Sequence, residues 1–302
     1  LRLPSPTAER AVLFGVALML VGDLMFALND AMGKWLVATY SPGQLMLIRS
    51  FAGLVVLAPF VLASGASSLV RVERPGLQVG RVVASTVDSV LFYAAVFYLP
   101  VADVMTFYLA APIYVAALSP FLLGETVGWR RWLAIVIGFV GVVVALNPSA
   151  STLTWPAVIS LIGSIAFALA MVASRALRAT PDRTLVFWQT AGGLLAGAVL
   201  APFGWITPTL TGFCLLSLLG IVAMAAHILI NRALKYAPAS TLAPLQYTLL
   251  LWAIVFGYLF FGDVPAPMML VGAAIIIASG LFIFLRERKR NAEVASRSLG
   301  KG

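Results

Sequence analysis

Asp23, Asn29, Asp30 and Lys34 stand within a dozen residues of one another in a single apolar run. Asp23, Ala27, Asp30 and Lys34 follow at i, i+4, i+7 and i+11, so a helix places them on one face. The run, residues 12–34, covers 23 positions, about 34 Å of helix and enough to cross a bilayer. An ionisable group inside such a span costs roughly 2.5–3.5 kcal/mol on insertion scales, so it is expected to face protein or water and to serve function.

Further groups join this face by depth. Asp30 lies about five residues, and Arg49 about six, from the outer ends of the first two spans. At ~1.5 Å per residue that makes them level, and predicts an ion pair or a shared hydrogen-bond network, with Lys34 one turn away as a competitor. A purely structural lock is the competing reading. Asp23 lies about twelve residues in and Asp88, of Ser85-Thr86-Val87-Asp88-Ser89, about ten, both near the midplane. Three roles stay open for these two acids: a neutral acid bonded to backbone, a proton carrier in a coupled transporter, or the partner of a substrate amine.

Substrate-binding candidates extend to later spans. Tyr93, Tyr108, Gln246 and Tyr247 offer ring faces and hydrogen-bonding tips. Trp188 and Trp252 lie nearer mid-span than an interfacial belt requires. His227, the one histidine, is added with Asn29 to the set, although a satisfied core histidine is the plainer reading. It lacks the partners of a metal site, so no metal or other cofactor is expected. Pro112 and Pro244 fall inside apolar windows and predict kinks or hinges.

The elements that must hold these groups are membrane helices. The chain of 302 residues is 62% hydrophobic and 10% charged, against about 45–50% and ~25% for soluble domains. Ten windows can be marked: 12–34, 42–63, 77–98, 101–122, 130–146, 154–175, 184–203, 212–232, 239–261 and 267–285. They lack the alternation of barrel strands, so an all-α polytopic membrane protein is expected, with the lipid bilayer as a partner. The first run is too long for a signal peptide and is read as a retained span. With the N-terminus inside, 18 of the 20 Lys and Arg fall on one side, Arg81 and Arg175 counted among them as loop cations; Lys34 and Arg49 are the exceptions. Both termini are therefore expected to be cytoplasmic, in a bacterial-type inner membrane. Topology explains the +9 charge, so no nucleic acid is expected. Cys214 lies in an apolar run and reads as a small core residue.

The second half repeats the first. Tyr98-Leu99-Pro100 matches Tyr236-Ala237-Pro238, and Gly124-Glu125 matches Gly262-Asp263, both at an offset of 138. Phe26-Ala27-Leu28 matches Phe167-Ala168-Leu169 at 141, the offset that also takes Gly22 to Gly163 and Lys34 to Arg175. Five spans per copy is odd, so the copies must be inverted, around a central cavity. The expected layout is an N-terminal segment 1–11, a first repeat 12–146, an external linker 147–153, a second repeat 154–285 and a basic tail 286–302.

Asn29-Asp30-Ala31-Met32-Gly33-Lys34, Gln44 to Arg49, and Pro112 to Gly124-Glu125 with Gly138-Phe139-Val140-Gly141 carry a family resemblance. Phe261-Gly262-Asp263 and Gly272 to Gly280 are their second-half counterparts. Over about residues 10–286 the chain resembles the ten-helix EamA-type transporters of the drug/metabolite transporter superfamily. The resemblance implies a 5+5 inverted fold and alternating-access movement of small metabolites such as amino acids, nucleosides or vitamins, often as export. Ala170 and Met171 replace Asn29 and Asp30 in the second copy, so the polar cluster is asymmetric.

The expected function is secondary transport of a small polar or zwitterionic, amino-acid-like metabolite, proton-coupled or by exchange. A flat heteroaromatic such as a nucleoside, a vitamin or an S-adenosylmethionine-like molecule is the alternative. An intramembrane enzyme is a distant third, for want of metal spacing or a Gly-x-Ser-x-Gly elbow. No ATP-binding loop is present, and nothing forms a channel filter. A monomer or homodimer would suffice.

Overall fold

The computed structural model describes residues 6–63, 74–99, 101–108, 110–124, 128–146 and 154–262, with scattered positions between and beyond. The first half comprises α1 (Pro6–Val37), α2 (Pro42–Leu62), α3 (Pro75–Tyr98), α4 (Val101–Tyr108), α5 (Ala111–Leu123) and α6 (Trp129–Leu146). The second has α7 (Trp155–Ala176), α8 (Asp182–Leu200), α9 (Leu210–Tyr236), a one-turn α10 (Ala239–Leu242) and α11 (Thr248–Phe256). The expected linker and tail lie outside the described residues, as do positions 269, 276, 277, 280, 281 and 283–285 of the expected tenth span.

Local chemistry sets the ends. The Ser41 hydroxyl accepts the Gln44 amide at 3.3 Å and Pro42 occupies the first turn of α2. Thr209 caps α9 in the same way, through Gly212 at 3.1 Å. Gly124 ends α5 with φ 66°, and Gly262, its mate 138 positions on, ends the run after α11 with φ 70°. Both are left-handed caps that a side chain would strain.

Two expected spans are broken rather than kinked. Residues 101–122 divide into α4 and α5, with Pro112 in the first turn of α5. Residues 239–261 divide into α10, a 3-10 turn (Ala243–Tyr247) holding Pro244, α11 and a π turn (Gly257–Phe261). Proline donates no backbone hydrogen bond and crowds the preceding turn, so an uninterrupted helix is not available there.

The packing is antiparallel between repeats. Along α1, Gly15 meets Tyr236, Gly22 meets Ile230, and Asn29 bonds to Leu219, so α1 runs against α9. Gly163 of α7 meets Leu91 while Ser174 bonds to Arg81, so α7 runs against α3. Gly43 meets Leu200 and Gly53 meets Thr190, so α2 runs against α8. The first and third helices of one copy thus oppose the third and first of the other, which is an inverted repeat.

Among the described residues, α2, α3, α7, α9 and α1 from Arg10 onward are long and apolar enough to cross a membrane. Phe121 and Leu210 are 86% and 81% exposed, an outward apolar surface suited to lipid rather than water. Cys214 belongs to that surface and not to the core, because α9 turns its opposite face, with Gly212, Leu216 and Leu219, towards the interior.

Candidate functional site

A cavity opens where α1 to α4 meet α7, α9 and the 3-10 turn at Pro244. Its polar wall holds Asn29 and Asp30 from α1, Arg49 from α2, Asp88 and Ser89 from α3, and His227 from α9. Its apolar wall is Phe26, Phe92, Met105, Phe167 and Leu249, with Tyr93, Tyr108 and Gln246 presenting polar tips.

The link between the first two spans runs through the third. The Arg49 Nη1 donates to the Tyr93 hydroxyl at 2.5 Å. That hydroxyl donates to Asn29 Oδ1 at 3.0 Å, and Asn29 Nδ2 donates to the Leu219 carbonyl at 2.7 Å. The Arg49 guanidinium also lies 5.0 Å from the Tyr93 ring centre, within cation–π range. Of the two arrangements expected for Asp30 and Arg49, no ion pair forms among the described residues. Tyr93 intercepts the guanidinium, leaving Asp30 facing the cavity within electrostatic reach of Arg49 and Asp88. Gly33 makes this possible, since a Cβ there would come within 2.5 Å of the Tyr93 ring.

The other acids separate. Asp88 lines the cavity while its own carbonyl accepts the Tyr108 hydroxyl at 3.3 Å. Asp23 has no exposed surface and sits behind the wall, where Gln246 Nε2 and Thr248 Oγ1 each donate to it at 3.4 Å. The chain break at Pro244 is what carries Gln246 and Thr248 to that position. Lys34 turns away from Asp30 and donates to the carbonyls of Val96 and Leu99 at 3.0 and 3.1 Å.

His227 directs Nδ1 at the Ala223 carbonyl, 2.7 Å away, and packs edge-on to Phe26. With Nδ1 donating, the neutral ring keeps Nε2 as an acceptor. Among the described residues no cluster of His, Cys, Asp or Glu could hold a metal ion.

Besides Asp23, three expected binding residues do not reach the cavity. Tyr247 is buried and donates to the Ile135 carbonyl at 2.9 Å, its ring filling the space left by Gly138. Trp252 stacks on Phe256 in the apolar cluster behind Phe26 and Leu249 of the cavity wall. Trp188 lies at the surface and donates to the Leu69 carbonyl at 2.9 Å. In each case the 3-10 turn or the helix face turns the ring away from the cavity, which depth along a span does not reveal.

Arg81 is not where its basic neighbours in sequence suggest. Counted as a loop cation, it is instead 1% exposed, inside α3 and hydrogen-bonded to the second repeat. Its position within the 77–98 window, three residues after another polar side chain, Gln78, is the signal that could have found it. Arg175 is likewise buried, in the last turn of α7, donating to the Leu234 and Lys235 carbonyls.

The comparisons agree with this architecture. The model of the EamA-like transporter family matches residues 13–147 and again 154–285. The chain is 26% identical over 276 residues to the S-adenosylmethionine uptake transporter of Rickettsia bellii, covering 91% of this chain and 94% of that one. It is 25% identical over 292 residues to the riboflavin transporter of Rhizobium johnstonii, covering 95% and 96%. It is also 25% identical over 268 residues to the pseudopaline exporter CntI of Pseudomonas aeruginosa, covering 88% and 94%. A solved crystal structure with 19% identity superposes with a TM-score of 0.75, over 93% of this chain and 98% of the other.

Proposed function

Since the chain belongs to the EamA-like transporter family and is a membrane transporter rather than an enzyme, we propose that it carries an S-adenosylmethionine-like organic cation. The observation that carries this reading is the cavity's formal charge: two carboxylates, Asp30 and Asp88, face one guanidinium, Arg49. A simple zwitterionic amino acid would answer Arg49 and one acid, leaving the other alone in a low-dielectric space. S-adenosylmethionine carries a carboxylate, an ammonium and a sulfonium, one group for each of the three. This replaces the plain amino acid as first choice, in keeping with the name of the Rickettsia bellii relative.

Arg49 has donors left after Tyr93 to receive the carboxylate. Asp30 and Asp88 take the two cationic centres. Phe92 meets Tyr93 and Tyr108 edge-to-face at 5.3 and 5.4 Å, giving the purine an aromatic wall. Gradient coupling or exchange drives the cycle, with Asp88 the acid placed to exchange a proton with the cavity.

The test is uptake of radiolabelled S-adenosylmethionine into proteoliposomes, with counterflow and competition. Saturable counterflow is expected, with S-adenosylhomocysteine, which lacks the sulfonium charge, competing about tenfold or more weakly. Equal competition by the two, or no uptake, sinks the reading. A neutral flat substrate such as riboflavin would use the aromatic wall alone and would be insensitive to Asp30→Asn.

A further inference from the structure

We propose that Arg81 is the centre of a second station for the substrate's anionic group, a carboxylate, reached from Arg49 on the way to the Arg175 end of the molecule. The proposal rests on the reading above for the identity of the carboxylate's carrier. The station belongs to no group that the cavity itself uses.

Arg81 donates Nε to the Ser174 hydroxyl at 2.6 Å, Nη1 to the Leu185 carbonyl at 3.0 Å, and Nη2 to Gln189 Oε1 at 2.7 Å and Asn231 Oδ1 at 3.2 Å. All four acceptors are neutral, and all belong to the second repeat. A buried guanidinium answered by dipoles alone retains attraction for an anion, because removing a charge from water costs several kcal/mol that neutral acceptors offset in part. A fastening between the repeats would need hydrogen bonds but no net charge.

Two amides with unspent polar atoms accompany it, one bonded to it and one a turn away on α3. The Asn231 amide, 4% exposed, accepts from Arg81 through its oxygen while its Nδ2 has no partner. Gln78, 5% exposed and one turn earlier on the same face of α3, has both its amide nitrogen and oxygen unbonded. Buried amides without partners are rare and call for an explanation. With the guanidinium, these N–H groups form the donor set a carboxylate requires.

A path leads as far as Gln189, the residue bonded to Arg81. A second, smaller pocket shares Arg49, Ser89 and His227 with the main cavity and extends past Ser85, Thr86 and Thr190 to Gln189. Gln189 is itself bonded to Arg81, and His227 stands within electrostatic reach of both guanidinium groups. A carboxylate released by Arg49 meets hydroxyls, then Gln189, then Arg81. Movement of the second repeat away from α3 would free Arg81 from its neutral acceptors as the anion arrives.

Gln189→Glu tests this, because it sets a fixed carboxylate against Arg81 with almost no change of shape. Uptake in proteoliposomes is measured for S-adenosylmethionine and for its decarboxylated analogue, with melting temperature as the control for folding. The expected result is an unchanged or raised melting temperature, an unchanged KM, and a maximal rate for S-adenosylmethionine lowered about tenfold or more. The rate for the decarboxylated analogue stays within about twofold of wild type. Asn231→Asp, which places the same charge from α9, must reproduce the split. Equal slowing of both substrates, or of neither, makes Arg81 a fastening alone and overturns the proposal. If wild type carries neither compound, the preceding reading fails. The station then stands or falls on acetate, which must raise the melting temperature of Arg49→Gln relative to chloride, and must not do so once Gln189→Glu is added.

Discussion

Lys34 and Arg175 perform the same act at opposite ends of the molecule. Lys34, in the last turn of α1, donates to the Val96 and Leu99 carbonyls at the end of α3. Arg175, in the last turn of α7, donates to the Leu234 and Lys235 carbonyls at the end of α9. Val96 and Leu234 are 138 positions apart, the offset of the repeat. A cation at a helix C-terminus satisfies carbonyls that have no helical partner and complements the helix dipole. Each copy therefore joins its own first and third helices at one end, and inversion sends the two joints to opposite faces.

Loosening one joint is expected to open one face. Each carries hydrogen bonds from a charged donor, worth about 1.5–3 kcal/mol, or about tenfold or more in a two-state equilibrium. With Cys214 replaced by Ala and a cysteine placed by Ser89→Cys, labelling by a membrane-impermeant maleimide reports access to the cavity. Lys34→Gln should raise labelling from the Lys34 face and Arg175→Gln from the other. Increases on the same face would contradict the symmetric assignment.

Tyr93→Phe removes one oxygen and leaves two buried partners, Arg49 Nη1 and Asn29 Oδ1, without each other. An unmet buried polar group costs about 1–3 kcal/mol. A lower melting temperature and a KM raised by up to about tenfold are expected in the same variant. An unchanged KM beside a lowered melting temperature would confine the relay to stability.

The two midplane acids are expected to differ in their response to pH. Asp88 lines the cavity and can exchange a proton there, whereas Asp23 is sealed behind Gln246 and Thr248. Flux measured against external pH should flatten in Asp88→Asn and keep its wild-type slope in Asp23→Asn. The reverse outcome would move coupling to the sealed acid.

Glycine substitutions separate contact from propensity. A Cβ on Gly220 would run into the backbone carbonyl of Arg49, which cannot move without shifting α2. Gly220→Ala is therefore expected to cost at least the ~1–3 kcal/mol typical of overpacking and to lower the melting temperature by several degrees. Gly80, also within a helix, has nothing within 4 Å of its Cβ position, so Gly80→Ala should gain about 0.5–1 kcal/mol. Equal effects in thermal melts would deny the close approach of α2 and α9.

Membrane helices, an inverted duplication and a buried polar face on α1 were legible from residues alone. Lipid offers the backbone no hydrogen bonds, so long apolar windows must be helices, and an odd number of spans per copy must invert the second. Depth along a span was legible too, because helical rise is constant. It brought Asp30 and Arg49 to one level, and both line one cavity.

Depth carries no information about which way a side chain turns. Tyr247 follows Gln246 immediately, yet in the 3-10 turn one faces the cavity and the other packs under Gly138. Arg81 shares the basic character of the neighbouring loops, and only the approach of α7, α8 and α9 shows it to be buried. Composition and spacing thus determine the helices and the inversion of one copy against the other, since these follow from the solvent and the number of spans. Partners are settled by the rotation and register of helices far apart in sequence, because a hydrogen bond depends on ångström-scale placement that no single segment encodes.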